Sequence, residues 1–366
     1  MLVRNDMRYI GKLLGYILLA LNVVVSICLL ISAYSPFVDP EAHSLWSCAG
    51  LFFPIFLVCN LLFLLLWLLV YWRYALLPLL TLVVCWGAVR TYCPINGWGE
   101  DAPEKAIKIL SYNTRAFGSK APHTKKNPND VLTYLQNSDA DIICLQEYIW
   151  GNELKKKDID DALSQYKYRH FQSLGKGFNG LGVYSRYPIL SATPLKYKSN
   201  RNGSVAYRIK VKEDTLLVIN NHLESYKIDE SDVEIYEGIP DALSDEKQLA
   251  DSWRLLTKLS RATAIRSRQA NVLLKTVEDA KEKYVVVCGD FNDTPISYTH
   301  HILHEKLQDA FVEAGSGLGI SYNEHHMLFR IDHILLSPNM KVYDCVVDNT
   351  TEASDHYPIW CHVSLE

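Results

Sequence analysis

The sequence predicts an α/β domain preceded by about three transmembrane helices. Long uncharged stretches fill residues 1–103, apolar strand-like runs alternate with helical patterns from residue 107 onward, and polar residues recur at the ends of those runs. The chain has 366 residues, 49% hydrophobic and 21% charged, with a formal net charge of −4. That length buries a sizeable core. The composition excludes a disordered chain, a collagen and a disulfide-stapled miniprotein. It is also a poor match for a dedicated duplex-DNA binder, which usually carries a strong basic excess.

The uncharged stretches are Leu13–Ala33 (21 residues), Leu51–Trp72 (22 residues) and Tyr74–Val89 (16 residues). A spanning helix needs about 20 apolar residues. The first two runs meet that length. The third is short and contains Pro78, but Arg90 can snorkel and Trp72 and Trp86 suit the interfaces. The competing reading is a re-entrant third run, which leaves two spans. A cleaved signal peptide fits less well, because 21 residues exceed an h-region of about 7–15. Orientation follows the basic residues. Arg4, Arg8 and Lys12 precede the first span and Arg73 follows the second, while the loop Tyr34–Ser47 has no Lys or Arg. Three spans therefore put the N-terminus inside and everything after residue 91 on the extracytoplasmic side of the plasma (inner) membrane. The expected division is a membrane domain over 1–92, a linker over 93–104 and a catalytic domain over 105–366.

The strand candidates are Ile107–Tyr112, Ile142–Leu145, Gly182–Ser185, Val205–Val211, Leu216–Asn220, Tyr284–Cys288, Ile334–Leu336 and Ile359–Val363. Helical patterns cover Asn129–Gln136, Asp158–Gln165, Asp251–Lys258 and Arg261–Thr276. Ser225–Ser252 is acidic and low in strand signal, so it reads as an inserted loop with some helix. None of the nine cysteines forms a CxxC pair, which argues against a zinc site. Cys144 and Cys288 read as buried strand residues.

The chemistry gathers where strands end. Asn113 follows the first strand, Glu147 the second, Asn220 and His222 end the fifth, and Asp290, Asn292 and Asp293 follow the sixth. Asp332 and then Asp355–His356 stand just before the last two. One Asp or Asn after a strand is usually a turn or a cap. Acid, amide and imidazole at the ends of several separated strands are hard to explain as turns alone.

These segments, SYN, LQE, NNHLES, GDFND, RIDHILLS and SDHYPI, resemble in order and approximate spacing the endonuclease/exonuclease/phosphatase superfamily, over roughly residues 105–366. The resemblance implies a four-layer α-β-β-α sandwich of the DNase-I-like kind. It also implies roles. Glu147 is the main ligand of a divalent cation, Mg²⁺ or Mn²⁺, with Asn113 and Asp355 near it. Asp290 activates water and Asn292 holds a phosphate oxygen. His222 acts on the phosphoryl group, with Asn220 beside it at the substrate, and His356 is the second imidazole, oriented by Asp332. Hard oxygen ligands hold such a cation, which neutralises phosphate charge. Two His with several carboxylates, and no activated Ser or Cys, suit direct attack of water on a phosphodiester.

One position departs from the family pattern. Many nucleases of this group have an Asp two residues after the first-motif Asn, and here it is Arg115. A cation there repels a second metal and suits phosphate. The glycine run with Gly177, Gly180 and Gly182 is no nucleotide fingerprint, because no helix follows it. Arg261, Arg266 and Arg268 read as a solvated helix face, and Lys125, Lys126 and Lys155–Lys157 as surface clusters. The expected activity is that of a membrane-anchored phosphodiesterase, nuclease-like or acting on phospholipid, with the bilayer and a phosphodiester as partners and no protein partner indicated. A non-catalytic receptor that kept the fold is the alternative of another class.

Overall fold

The apolar runs of the N-terminal part fold as α1 (Leu2–Tyr34), α2 (Pro40–Ser47), α3 (Phe53–Val70), α4 (Leu76–Val84) and α5 (Trp86–Tyr92). This computed structural model describes residues 2–97, 100–124, 126–175, 179–238, 246–324 and 327–366. Two segments, Gly11–Phe37 and Pro40–Val70, are long and apolar enough to cross a membrane. The third run is not a straight helix: Trp72–Val84 and Trp86–Tyr92 meet at 66°. The break falls at Cys85, whose ψ of 6° is not helical. With aliphatic side chains almost all round, α3 has no polar face to set its neighbour. A buried polar contact does so instead: Trp67 Nε1 donates to Asn22 Oδ1 of α1 at 3.0 Å.

From Ile107 onward the chain forms twelve strands and seven helices in the described residues. They are β1 (Ile107–Asn113), α6 (Arg115–Lys120), α7 (Asp130–Asn137), β2 (Ile142–Gln146), α8 (Lys156–Ala162), β3 (Tyr168–Leu174), β4 (Asn179–Ser185), β5 (Ile189–Pro194), β6 (Gly203–Val211) and β7 (Asp214–His222). Then follow α9 (Glu230–Gly238), α10 (Glu246–Glu278), β8 (Tyr284–Asp290), α11 (Tyr298–His304), β9 (Gln308–Asp309), α12 (Ala310–Ala314), β10 (Asp332–Leu336), β11 (Met340–Val347) and β12 (Ile359–Leu365). The strands make two six-stranded sheets, ordered β11-β12-β1-β2-β4-β3 and β5-β6-β7-β8-β10-β9.

Ile109, Cys144 and Val183 of the first sheet meet Tyr207, Val218, Val286 and Ile334 of the second in one dry core. The outer face of the first sheet is covered by Leu132 of α7 and Ile159 of α8. Leu273 of α10 and Leu303 of α11 cover the second. Helix, sheet, sheet and helix are thus stacked, as the α-β-β-α expectation requires. Local chemistry agrees with the layers. Asn129 Oδ1 accepts from Leu132 N at 3.1 Å and starts α7.

Two helix expectations change. The patterns at 251–258 and 261–276 belong to the single helix α10. Arg266 is not part of a solvated face; it is fully buried, because α10 is covered on more than one side, whereas Arg268 remains more than half exposed. Lys125 and Gly177 lie outside the described residues.

The N-terminal helices are docked onto the second sheet's helical layer. Cys48 Sγ lies 3.4 Å from Thr263 Oγ1 of α10, and the Phe37 ring stacks 4.3 Å from His301 of α11. Gly50 sits so close to the Ile296 carbonyl that a Cβ would approach it to 1.9 Å, so only glycine fits there. At the other end Arg330 donates to the Thr91 carbonyl. Asn96 donates to the carbonyls of Val312 and Gly315 at 3.0 and 2.7 Å. Asn96 is therefore fixed against the end of α12.

Candidate active site

Strand direction brings the polar strand ends together. β1 and β2 are parallel, as are β7 and β8, so Asn113, Gln146–Glu147, His222 and Asp290 emerge at one edge. β10 runs antiparallel to β8 with Asp332 opposite Asp290, and β12 antiparallel to β1 with His356 just before it. Gly289 makes the last step possible. Its φ is +135°, and a Cβ there would meet the Asn221 carbonyl at 1.9 Å.

Asp290 is the centre. Its Oδ1 accepts from Asn292 N at 2.7 Å. Its Oδ2 accepts from Asn113 Nδ2 at 3.0 Å and Asn292 Nδ2 at 3.1 Å. The same oxygen lies 3.5 Å from His222 Nε2 and 3.8 Å from His356 Nε2. Asp332 Oδ2 is 2.7 Å from His356 Nδ1. Asp332 is itself aligned by Ser321, whose Oγ accepts from Ile331 N and Asp332 N at 3.0 Å each. Burial opposes charge on His356, but Asp332 and Asp290 outweigh it and push its pKa up to about 10. The ring then carries both protons and offers no acceptor, so Asn113 donates to Asp290 alone. Burial, opposed chiefly by His356, pushes the Asp290 pKa up to about 6.

The second imidazole is set by a residue that strand-end reasoning passed over. Asn179 Nδ2 donates to Arg201 O at 3.0 Å, which identifies it as the amide nitrogen, and it lies 3.3 Å from His222 Nδ1. Nδ1 is therefore the acceptor and Nε2–H faces Asp290. Asn179 stands at the start of β4, within the glycine run rather than at a strand's polar end. Tyr322 was also missed; its ring packs 5.1 Å from His356.

Glu147 faces the same cluster from β2, with Oε1 4.0 Å from His222 Nε2. Its φ of +48° turns the chain toward the site, and Asn292 does the same at +50°. Among the described residues nothing hydrogen-bonds the Glu147 carboxylate. That carboxylate, one third exposed, is a hard oxygen donor of the kind a Mg²⁺-type cation takes; Asn113 pairs with Gln146 across β1 and β2 and Ser354 donates to the Asn113 main-chain carbonyl, so Asn113 and Asp355 offer further oxygens from adjoining segments. Asp355 is shared: Arg115 Nε lies 3.6 Å away, and Arg115 Nη2 is paired with Glu324 at 2.6 Å. These residues line an open cleft of about 340 Å³. Arg115 begins a left-handed turn, φ +45° to +67° through Gly118, held by Arg115 N on Asn113 Oδ1 at 3.1 Å and Ala116 N on Glu147 O at 3.1 Å.

Asn220, expected beside the substrate, lies beneath the cluster. It is fully buried, donating to the Leu145 and Gly182 carbonyls at 3.1 Å each and accepting from Gln146 Nε2 at 2.7 Å. It ties the two sheets together beneath the site. A second His/Asp group, His300, Asp309 and His333, lies in the helical layer. Asp309 already caps α12 through Phe311 N at 2.7 Å and binds His300 at 2.7 Å, so its oxygens are engaged. Burial pushes the His333 pKa down to about 3, and its Nε2 donates to Asp293 O at 3.0 Å, supporting the GDFND loop.

The comparisons with known proteins agree with this geometry. A profile described as the Endonuclease/Exonuclease/phosphatase family matches residues 110–356. Another, described as a domain of unknown function, matches residues 15–92. No curated protein matches the chain. Among solved structures, an endonuclease/exonuclease/phosphatase from Bacteroides vulgatus is similar at TM-score 0.51 and 16% identity, over 71% of this chain and 99% of that one. The human Nocturnin catalytic domain with bound sulfate anion is similar at TM-score 0.51 and 17% identity, over 71% and 94%. Humanized D. rerio TDP2 is similar at TM-score 0.51 and 15% identity, over 71% and 100%. Identities this low establish the shared fold. The family profile goes further, because it runs from β1 through the His356 motif over more than half of the chain, and by it the protein belongs to the endonuclease/exonuclease/phosphatase family, whose fold is that of phosphoester hydrolases.

Proposed function

We propose that the protein is a membrane-anchored phosphodiesterase that works with one divalent cation and an activated water. The observation that carries this reading is the convergence of Asn113, His222, Asn292 and His356 on Asp290, with Glu147 unengaged beside them. Glu147, Asn113 and Asp355 would hold the cation, and Arg115 at Asp355 disfavours a second. When bound, a cation of this type neutralises phosphate charge and stabilises the developing oxyanion.

The chain's own groups supply the rest. Asp290, with its raised pKa, accepts a proton from water near neutral pH. His356, held cationic by Asp332, donates toward phosphoryl oxygen from Nε2. His222 presents Nε2–H on the other side of Asp290, and Arg115 meets phosphate from the rim. The water oxygen bonds to phosphorus, the ester P–O bond breaks, and the leaving oxygen takes a proton.

The test uses the full-length protein in detergent micelles with bis-p-nitrophenyl phosphate. Hydrolysis is expected to need Mg²⁺ or Mn²⁺, to stop with a chelator, and to fall by about a hundredfold in Glu147→Gln. Turnover indifferent to both chelator and E147Q would remove the cation from the account.

In this reading residues 1–92 are the anchor, 93–104 the linker and 105–366 the catalytic unit. The docking contacts support three crossings. Residues 35–52, between the first two spans, touch the catalytic unit through Phe37, Cys48 and Gly50, and residues 91–96 touch it through Thr91 and Asn96. Both loops must lie on one side of the membrane, so the bent α4–α5 pair has to cross. With Arg4, Arg8, Lys12 and Arg73 inside, that side is extracytoplasmic. Fusions at residue 100 are expected to give active alkaline phosphatase and dark green fluorescent protein; a fluorescent fusion would leave only two crossings.

A further inference from the structure

We propose that the N-terminal half of α10 lies on the lipid headgroups of the membrane that α1 and α3 cross, and that the site it borders acts on a phosphodiester lipid of that leaflet. The proposal rests on the membrane-anchored phosphodiesterase reading and names its substrate class.

The argument starts from helix geometry. At 3.6 residues per turn, Leu249, Trp253, Ser260, Ala264 and Ser267 fall within a sector of α10 about 60° wide, flanked by Thr263 on one side and Arg268 on the other. Those two flanks are the ones that touch the membrane part: Thr263 meets Cys48, and Arg268 Nη1 lies 3.5 Å from Glu41. The sector therefore faces the loop that joins the first two spans. Where that loop covers it the sector is small and buried, with Ser260 at 3% and Ser267 at 0% exposure. Beyond the loop the sector turns apolar and open, with Leu249 at 56% and Trp253 at 60%. Glu246, in the first turn, ends it.

Direction places those two side chains. Glu41 pairs with Arg268 and Cys48 with Thr263, so α2 and α10 run antiparallel. Going toward the N-terminus of α10 leads past Cys48 toward the start of α3 at Phe53, where the chain enters its second span. At 1.5 Å per residue Trp253 lies about 15 Å and Leu249 about 21 Å beyond Thr263 along the helix.

Charge suits an interfacial helix. Lys247, Arg254, Arg261 and Arg268 recur every seven residues and so line one flank of the apolar sector. A tryptophan and a leucine on one face with a basic flank is the pattern of a helix lying in the headgroup plane, where the flank meets anionic lipid.

The catalytic edge is next to this surface. Arg266, one turn from Thr263, binds Asp293 of the GDFND loop, and Ile296 of the same loop is seated on Gly50. Arg330, two residues before Asp332, holds Thr91. Two of the loops that carry the site are thus pinned to the membrane part, and residues 104–366 hold the whole net charge of −4, which does not suit a polyanion.

The test reconstitutes the full chain in nanodiscs of equal parts phosphatidylethanolamine and phosphatidylglycerol. Trp253→benzoylphenylalanine is expected to photo-crosslink to lipid, and Leu190→benzoylphenylalanine, at an exposed position on edge strand β5, is not. In the Leu249→Ser/Trp253→Ser variant, release of phosphate-containing headgroup or diacylglycerol product from the disc is expected to fall about tenfold, with soluble bis-p-nitrophenyl phosphate turned over as before. No lipid adduct at 253 overturns the surface. Adducts at 253 without any lipid turnover by the active wild type, or equal losses on both substrates, overturn the substrate class. Because crosslinking needs no turnover, an inactive protein that still crosslinks would sink only the phosphodiesterase reading.

Discussion

Asp290→Asn is expected to lower kcat on bis-p-nitrophenyl phosphate by about a thousandfold while leaving the fold intact. The size follows from what Asp290 is asked to do. It lies against both imidazoles and accepts from Asn113 and Asn292, and burial keeps its pKa high enough to take a proton from water. An asparagine is nearly isosteric, so the contact with Asn292 N at 2.7 Å can persist. It cannot accept a proton, and it removes one of the three carboxylates, Asp332, Asp290 and Asp355, that keep His356 charged. The loss therefore includes a base and part of an electrostatic donor. Circular dichroism and the unfolding midpoint in detergent should match the wild type. A variant that retains a tenth of the rate would show that another group activates water.

The strands found by sequence pattern and those missed divide along a physical line. All eight expected strands exist, from β1 to β12, and each is interior to its sheet. The four that were missed, β3, β5, β9 and β11, are the four sheet edges. Interior strands are covered on both faces, so they read as continuous apolar runs such as Val285–Cys288. Edge strands keep one side in water: β3 reads YRHFQSL and opens on two exposed residues, and β5 has no buried position and carries Ser191 and Thr193. The site was legible for the same reason as the interior strands. Its residues follow or precede those runs, and the parallel pairs β1–β2 and β7–β8 put their ends on one edge. Asn179, Tyr322 and Ser321 act on the site from loops and strand starts where no apolar run announces them. Asn220 has the strand-end signature but points between the sheets: successive residues of β7 face opposite ways, so it shares a face with His222 but sits one pleat deeper.

Arg266 is the sharper lesson, because Arg261 and Arg268 on the same helix made it look like one more surface cation. Replacing it is expected to cost about 3–5 kcal/mol in Arg266→Met. The guanidinium has no exposure; Nε meets Asp293 Oδ2 at 3.1 Å, Nη1 donates to Glu224 O at 2.8 Å, and the Tyr226 ring lies 4.0 Å from it. Methionine fills much of the volume but leaves the Asp293 carboxylate buried without a cation, which is where the penalty arises. The pairing predicts its own control. Adding Asp293→Asn removes the stranded charge, so the double variant should recover a large part of the stability that R266M alone loses. Thermal unfolding of full-length protein in detergent reads both, and losses that simply add would mean the ion pair is not the source. Activity should follow stability in this series for a structural reason. Asp293 lies in the loop of Asp290 and Asn292, Glu224 is two residues past His222, and Thr263, which Arg266 also binds at 3.2 Å, is the residue in contact with Cys48. One buried cation thus fixes the strand ends that carry His222 and Asp290, and it does so at the point where α10 is fastened to the N-terminal helices.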